Sequence, residues 1–243
     1  DQPSQTQTKG PMTLSLGEVT ATTVTFNATL DVDMMADYQE VGLIYSQSDD
    51  LDIENEDMNI IRINKESYEE TFTSLPYDTD FHYTLYLLKN NVYSYGETKS
   101  FRTKDVTINV ENVAVTNTTV TFSGKVDRDE RDSEVKVGIQ YSKTNEFLSD
   151  DIIQREATPE EDGSYSIKFS SLYVDKSYFY RTYVQQGETY EYGDVDEFAT
   201  TSIEVELTLG EVTQTTASFI GTIDPANAVK EVEFGILCST NQD

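Results

Sequence analysis

Tryptophan is absent from this chain of 243 residues, cysteine and histidine occur once each, and basic side chains are few. Each shortage closes off some chemistry. With Cys238 alone, no intrachain disulfide and no cysteine-based zinc site can form. A histidine metal site or a Ser/His/Asp triad would depend on His82. Seventeen Lys and Arg against forty-five Asp and Glu leave a formal net charge of -28. That balance excludes a free-standing nucleic-acid binder, whose affinity comes from cations neutralising phosphates, and equally a basic patch for an anionic membrane surface. No window approaches the roughly 18 consecutive apolar residues of a membrane span, and no signal-peptide core opens the sequence. What is present points to folding: 37% of residues are apolar, and sixteen Tyr and eleven Phe counter the disorder that the charge alone would suggest.

The chain is organised by an internal repeat. Leu16-Gly-Glu-Val-Thr-Ala-Thr-Thr-Val-Thr-Phe26 returns around Val110–Phe122 and again as Leu209-Gly-Glu-Val-Thr-Gln-Thr-Thr-Ala-Ser-Phe219. A second block, Val41-Gly-Leu-Ile-Tyr-Ser46, returns as Val137-Gly-Ile-Gln-Tyr-Ser142 and Phe234-Gly-Ile-Leu-Cys-Ser239. A third, Tyr95-Gly96 followed by Phe101-Arg-Thr103, matches Tyr192-Gly193 followed by Phe198-Ala-Thr200. Expected are a polar tether at 1–11, a repeat at 12–104, a second at 105–201, and the first strands of a third at 202–243. The connectors Lys104-Asp105 and Thr201-Ser202 are short and lack glycine, so free swivelling is not expected.

Within each repeat the period is two. Val24, Phe26, Ala28 and Leu30 alternate with polar residues, as do Phe81, Tyr83, Leu85 and Leu87. His82 falls out of phase and belongs on the outer sheet face. About seven strands per repeat of roughly 100 residues predict an all-β chain of tandem antiparallel sandwiches of the immunoglobulin/fibronectin III-like kind. The one competitor for helix is the acidic stretch Asp49–Met58.

The run Leu75-Pro-Tyr-Asp-Thr-Asp-Phe81, its partner Leu172-Tyr-Val-Asp-Lys-Ser-Tyr178, the following Tyr180-Arg-Thr-Tyr183 and the closing Tyr-Gly then Phe-x-Thr resemble the fibronectin type III-like repeats of Bacteroidetes cell-surface lipoproteins. The resemblance covers both full repeats and the start of the third. It implies a secreted protein on the extracellular face of a bacterial outer membrane, with the membrane reached only through an N-terminal lipid anchor outside this sequence. It also implies a tyrosine corner at Tyr178, whose hydroxyl bonds nearby backbone. Phe81 departs from that pattern, and Phe26, Phe122 and Phe219 stand where a core Trp would be.

Candidate ligand groups come from two residue classes. Tyr86 and Tyr183 are out of phase with the inward series, and Tyr93, Tyr95, Tyr190 and Tyr192 crowd the next hairpin. Flat aromatics stack on the apolar faces of sugar rings, so these six form a candidate glycan platform, with cross-strand packing as the competing reading. Asp50, Asp52, Glu54 and Glu56 are spaced faintly like a calcium loop, although Asn55 stands where the glycine is needed. The other acidic clusters read as solvated loops. Carboxylate pairs are guaranteed by chance among so many acids, and small sandwiches suggest no cleft, so no enzymatic activity is expected. The leading expectation is a non-catalytic modular surface protein acting as spacer, adhesion or protein-interaction scaffold; a glycan-binding module and a calcium-rigidified stalk are the alternatives. Its partners would be other surface proteins or extracellular glycans. Cys238 takes the place of Tyr45 and Tyr141 and would be a buried thiol in an intact third domain. Three strands cannot close a sandwich, so either the chain continues past Asp243 or a partner adds the missing strands.

Overall fold

A computed structural model describes residues 12–129, 132, 134–223 and 234–240. The expected tether at 1–11 lies outside them. Two compact units are formed: Asp1–Thr107 with Asp127–Val135 and Gln186–Thr189, and Ile108–Val126 with Lys136–Gln185 and Tyr190–Asp243.

The first sandwich is built from β1 (Met12–Val19), β2 (Val24–Leu30), β3 (Glu40–Ser46), β4 (Asn59–Arg62), β5 (Ser67–Phe72), β6 (Asp80–Lys89), β7 (Val92–Tyr95) and β8 (Lys99–Arg102). One sheet runs β1-β2-β5; the other runs β4-β3-β6 with both β7 and β8 on the far edge of β6. β7 and β8 are thus one lane interrupted at Gly96, whose N–H still reaches the Leu85 carbonyl at 2.9 Å. Eight segments therefore fill the seven expected lanes. These strands pair antiparallel. The β6–β7 turn places Asn90 and Asn91 at positive φ of 55° and 60°, the pair of left-handed positions that matches the twist of a two-residue hairpin.

The second sandwich repeats the plan with β9 (Thr107–Val115), β10 (Val120–Asp127), β11 (Val135–Ser142), β12 (Ile153–Glu156), β13 (Ser164–Phe169), β14 (Ser177–Gln186), β15 (Thr189–Tyr192) and β16 (Asp196–Ala199). Its sheets are β13-β10-β9 and β12-β11-β14, with β15 and β16 on β14. The chain is a tandem of antiparallel, fibronectin type III-like β-sandwiches. Among the described residues helix is limited to short turns, such as Val32–Met35 and the 3-10 turn Ser149–Asp151, and the acidic stretch 49–58 is helix-free.

Alternation places the cores where the sequence pattern puts them. Phe26 and Phe122 are fully buried, each ringed by four or three other aromatics at 4.7–6.0 Å. Full burial of such a ring stabilises by roughly 1.5–3 kcal/mol, and ring-edge geometry adds about 1 kcal/mol. Phe81 stacks on Phe101 at 5.2 Å and 9°, and Tyr178 on Phe198 at 5.3 Å and 16°. The corner differs between them: the Tyr178 hydroxyl accepts the Tyr173 N–H at 2.9 Å. Pro76 occupies the position of Tyr173 in the first repeat, so no N–H is available there, and a phenylalanine at 81 loses nothing.

Among the described residues after 201 a hairpin forms, β17 (Val205–Val212) with β18 (Ala217–Ile223). It reproduces the register irregularity of β1–β2, between Leu209 and Val212 as between Leu16 and Val19. The expected third strand at Phe234–Ser239 is absent: those residues are irregular and exposed, and Cys238 is exposed with them. In the complete repeats that strand is held by a ladder to β6 or β14.

Candidate functional site

The tyrosines singled out from the sequence converge on the outer face of the four-lane sheets. In the first sandwich Ile44, Leu51 and Tyr86 form a small buried cluster there, flanked by Ile53, Met58 and Tyr93. The acidic loop supplies Leu51, Ile53 and Met58, so its apolar residues close a second, minor core while its carboxylates face outward. Tyr86 lies directly across the ladder from Gly42. A Cβ on Gly42 would sit 2.7 Å from the Tyr86 ring and collide with the Ile61 carbonyl, so the glycine is what lets the ring lie flat over β3. The Tyr86 hydroxyl donates to Glu40 Oε1 at 2.6 Å, and Arg62 Nε pairs with the same carboxylate at 2.9 Å. Burial, then the bond to Glu40, raises the Tyr86 phenol well above its ordinary value.

One repeat later the same patch is built with different chemistry. Gln140 replaces Ile44, Phe147 replaces Leu51 and Arg181 replaces Thr84. The Arg181 guanidinium is clamped between Phe147 at 4.2 Å and Tyr192 at 3.7 Å to the ring centroids. Tyr192 stacks on Tyr190 at 5.8 Å and 15°, and Tyr190 packs on Tyr183 at 5.7 Å. Gln140 is buried, and with its amide oxygen toward Arg181 that oxygen accepts from Nη2 at 2.7 Å and from Nε. Such cation–π contacts contribute about 0.5–2 kcal/mol, more as the cation loses water. Tyr183 covers Gly138 as Tyr86 covers Gly42: a Cβ there would lie 2.6 Å from the Tyr183 hydroxyl. Burial, with the Glu156 carboxylate adding to it, pushes the Tyr183 phenol up to about 12.

These contacts correct the expected platform. Tyr86 and Tyr183 are 0% and 3% exposed, out of reach of a ligand, because the loop and the neighbouring rings cover the outer face. Tyr93 packs edge-on against Tyr86 at 6.1 Å. Tyr95 and Asp52, assigned from the sequence to different ligands, meet each other: the Tyr95 hydroxyl donates to Asp52 Oδ1 at 2.9 Å and accepts the Ile53 N–H at 3.1 Å. Only Tyr95 and Tyr192 keep a substantial open surface, 38% and 46%. Asp52 also accepts the Glu54 N–H, and Asn55 Nδ2 donates to the Asp50 carbonyl. Of Asp50, Asp52, Glu54 and Glu56, Asp52 thus caps its own loop, and among the described residues no group of three or more His, Cys, Asp or Glu converges as metal ligands would. His82 is half-buried at the ladder position between Ser46 and Ser100.

A functional group that the sequence reading placed in solvent is Asp132. Its loop belongs to the first unit, and its carboxylate is fully buried. Oδ1 accepts from Thr20 Oγ1 at 2.7 Å, Thr22 N at 2.9 Å and Thr22 Oγ1 at 2.7 Å, and Oδ2 accepts from Ala21 N at 3.0 Å. Two hydroxyls and two backbone N–H groups replace the water lost on burial. The signal available in the sequence was the recurrence of Thr-x-Thr-Thr at 20, 116 and 213.

No family model matches the chain, and no curated protein does. Three solved structures resemble it: the chicken CNTN1 FN1–FN3 domains at 12% identity and TM-score 0.31, covering 80% of this chain and 68% of that one; a two-domain fibronectin type III segment of chicken tenascin at 15% and 0.32, covering 79% and 100%; and a computationally redesigned β-sandwich protein at 19% and 0.29, covering 40% and 95%.

Proposed function

We propose that the chain is a non-catalytic modular protein of a bacterial outer surface, its sandwiches serving as spacers and as a scaffold for contacts with other surface proteins. The observation that carries this reading is the internal use of the residues best suited to a ligand: the outer-face tyrosines, the single clamped Arg181 and the acidic loop 49–58 all complete the protein's own packing. The sequence resemblance to Bacteroidetes lipoprotein repeats supports the location. Calcium has no part in this reading. The test combines labelling of intact host cells by a membrane-impermeant reagent with a polysaccharide array. Surface labelling without polysaccharide binding is expected; an unlabelled, intracellular protein overturns the proposal.

The half-exposed Tyr95 and Tyr192 favour a second reading, a weak glycan-binding module. Saturable binding to one polysaccharide, lost in Tyr192→Ala or Tyr95→Ala, would replace the scaffold with that function.

A further inference from the structure

The Thr-x-Thr-Thr turn occurs three times, and its hydrogen bonds are reproduced almost to the tenth of an ångström. In the first copy Thr20 N donates to Thr23 O at 2.9 Å, the Thr20 and Thr23 hydroxyls share a hydrogen at 2.8 Å, and the N–H groups of Thr22 and Thr23 reach Thr20 Oγ1 at 3.3 and 3.1 Å. In the third copy Thr213 N donates to Thr216 O at 2.8 Å, the two hydroxyls are 2.7 Å apart, and Thr215 N and Thr216 N reach Thr213 Oγ1 at 3.3 and 3.0 Å. In the first copy the turn directs two consecutive N–H groups and two threonine hydroxyls to one side. That side holds a carboxylate buried to 0% exposure, that of Asp132. In the third copy all four residues, Thr213 to Thr216, are exposed.

We infer that this turn is a carboxylate receptor and that its third copy, Thr213–Thr216, is a binding site for the side-chain carboxylate of an acidic loop in a partner sandwich. By position in the repeat, Thr213 Oγ1, Gln214 N, Thr215 N and Thr215 Oγ1 correspond to Thr20 Oγ1, Ala21 N, Thr22 N and Thr22 Oγ1, the four donors to Asp132. The site gives the scaffold reading a partner chemistry, but it rests on the repeated turn and not on where the protein resides. Recognition is by shape and donor count. The hairpin from Ser202 to Ile223 carries Glu204, Glu206 and Glu211 and no Lys or Arg, so bulk attraction for anions is absent.

The experiment follows backbone amide shifts of the full chain during titration with sodium acetate, against sodium chloride at matched ionic strength. The first copy supplies the internal control. In the unaltered chain Gln214 and Thr215 amides are expected to move saturably with acetate, while Ala21 and Thr22, already engaged by Asp132, stay still. In Asp132→Ala the Ala21 and Thr22 amides should join them, and in Thr215→Val the response at 214 and 215 should be lost. Movement of Ala21 and Thr22 in Asp132→Ala without movement at 214 and 215 would overturn the site in the third copy. No acetate response in either copy, or an equal response to chloride, would overturn the receptor altogether. Surface labelling is untouched by any of these outcomes, so failure here and failure of the scaffold proposal are separable.

Discussion

The two complete sandwiches share a core and differ on the outside. Inside, Phe26 and Phe122, Tyr45 and Tyr141, Phe101 and Phe198 occupy matching places. Outside, the first closes its sheet with Ile44, Leu51 and a Tyr86–Glu40–Arg62 chain, and the second with Gln140, Phe147 and a guanidinium held between two rings. Apolar burial and a cation–π clamp are therefore interchangeable covers for one position. The invariant partner of both is a glycine beneath a tyrosine.

The comparison breaks most severely at that glycine. Gly42→Ala and Gly138→Ala each drive a methyl into a backbone carbonyl as well as a ring, and a cost of roughly 3 kcal/mol or more is expected for the affected unit. Gly235→Ala, at the matching place in the third copy, meets nothing within 4 Å and should leave thermal unfolding unchanged. Of comparable size, Phe26→Ala and Phe122→Ala should each cost about 3–5 kcal/mol in urea titrations. Phe219→Ala, whose ring is 38% exposed, should cost far less. The corner is a finer probe. Tyr178→Phe removes the bond to Tyr173 N and should cost about 1 kcal/mol. Phe81→Tyr should gain nothing until Pro76→Ala restores a donor, and a double-mutant cycle that shows no coupling between 76 and 81 would refute this account.

A further probe is alkaline. Tyr165, Tyr180 and Tyr183 are pushed up to about 12, in each case chiefly by burial. The folded state holds these protons more tightly than the unfolded state does, so the stabilisation is complete below pH 10 and is lost as the pH climbs toward 12. Phenolate absorbance should rise in two steps, exposed tyrosines first and these with unfolding. A single step centred near pH 10 would contradict their burial.

Fold class and core were legible because period-two alternation, repeated three times, fixes which residues face inward. The outer face was not. Tyr86 and Tyr183 alternate out of phase, and that alone reads as exposure. The contrary signal was Val41-Gly-Leu-Ile-Tyr-Ser46, an unbroken run in which every residue proves buried, as in a strand covered on both faces. Asp132 escaped notice for another reason: its donors lie 110 to 112 residues away, and the recurring Thr-x-Thr-Thr that supplies them does not name the carboxylate it will hold. The missing strand at Phe234–Ser239 shows the limit of local propensity, since a ladder needs a partner.

Cover on both sides of β3 has a kinetic corollary. Solvent can reach the amides of Val41 to Ser46 only when the flanking lanes, the inner core and the outer lid have all come apart, so their deuterium exchange should report global opening of the first unit, whereas β7 and the 49–58 loop exchange through local fraying.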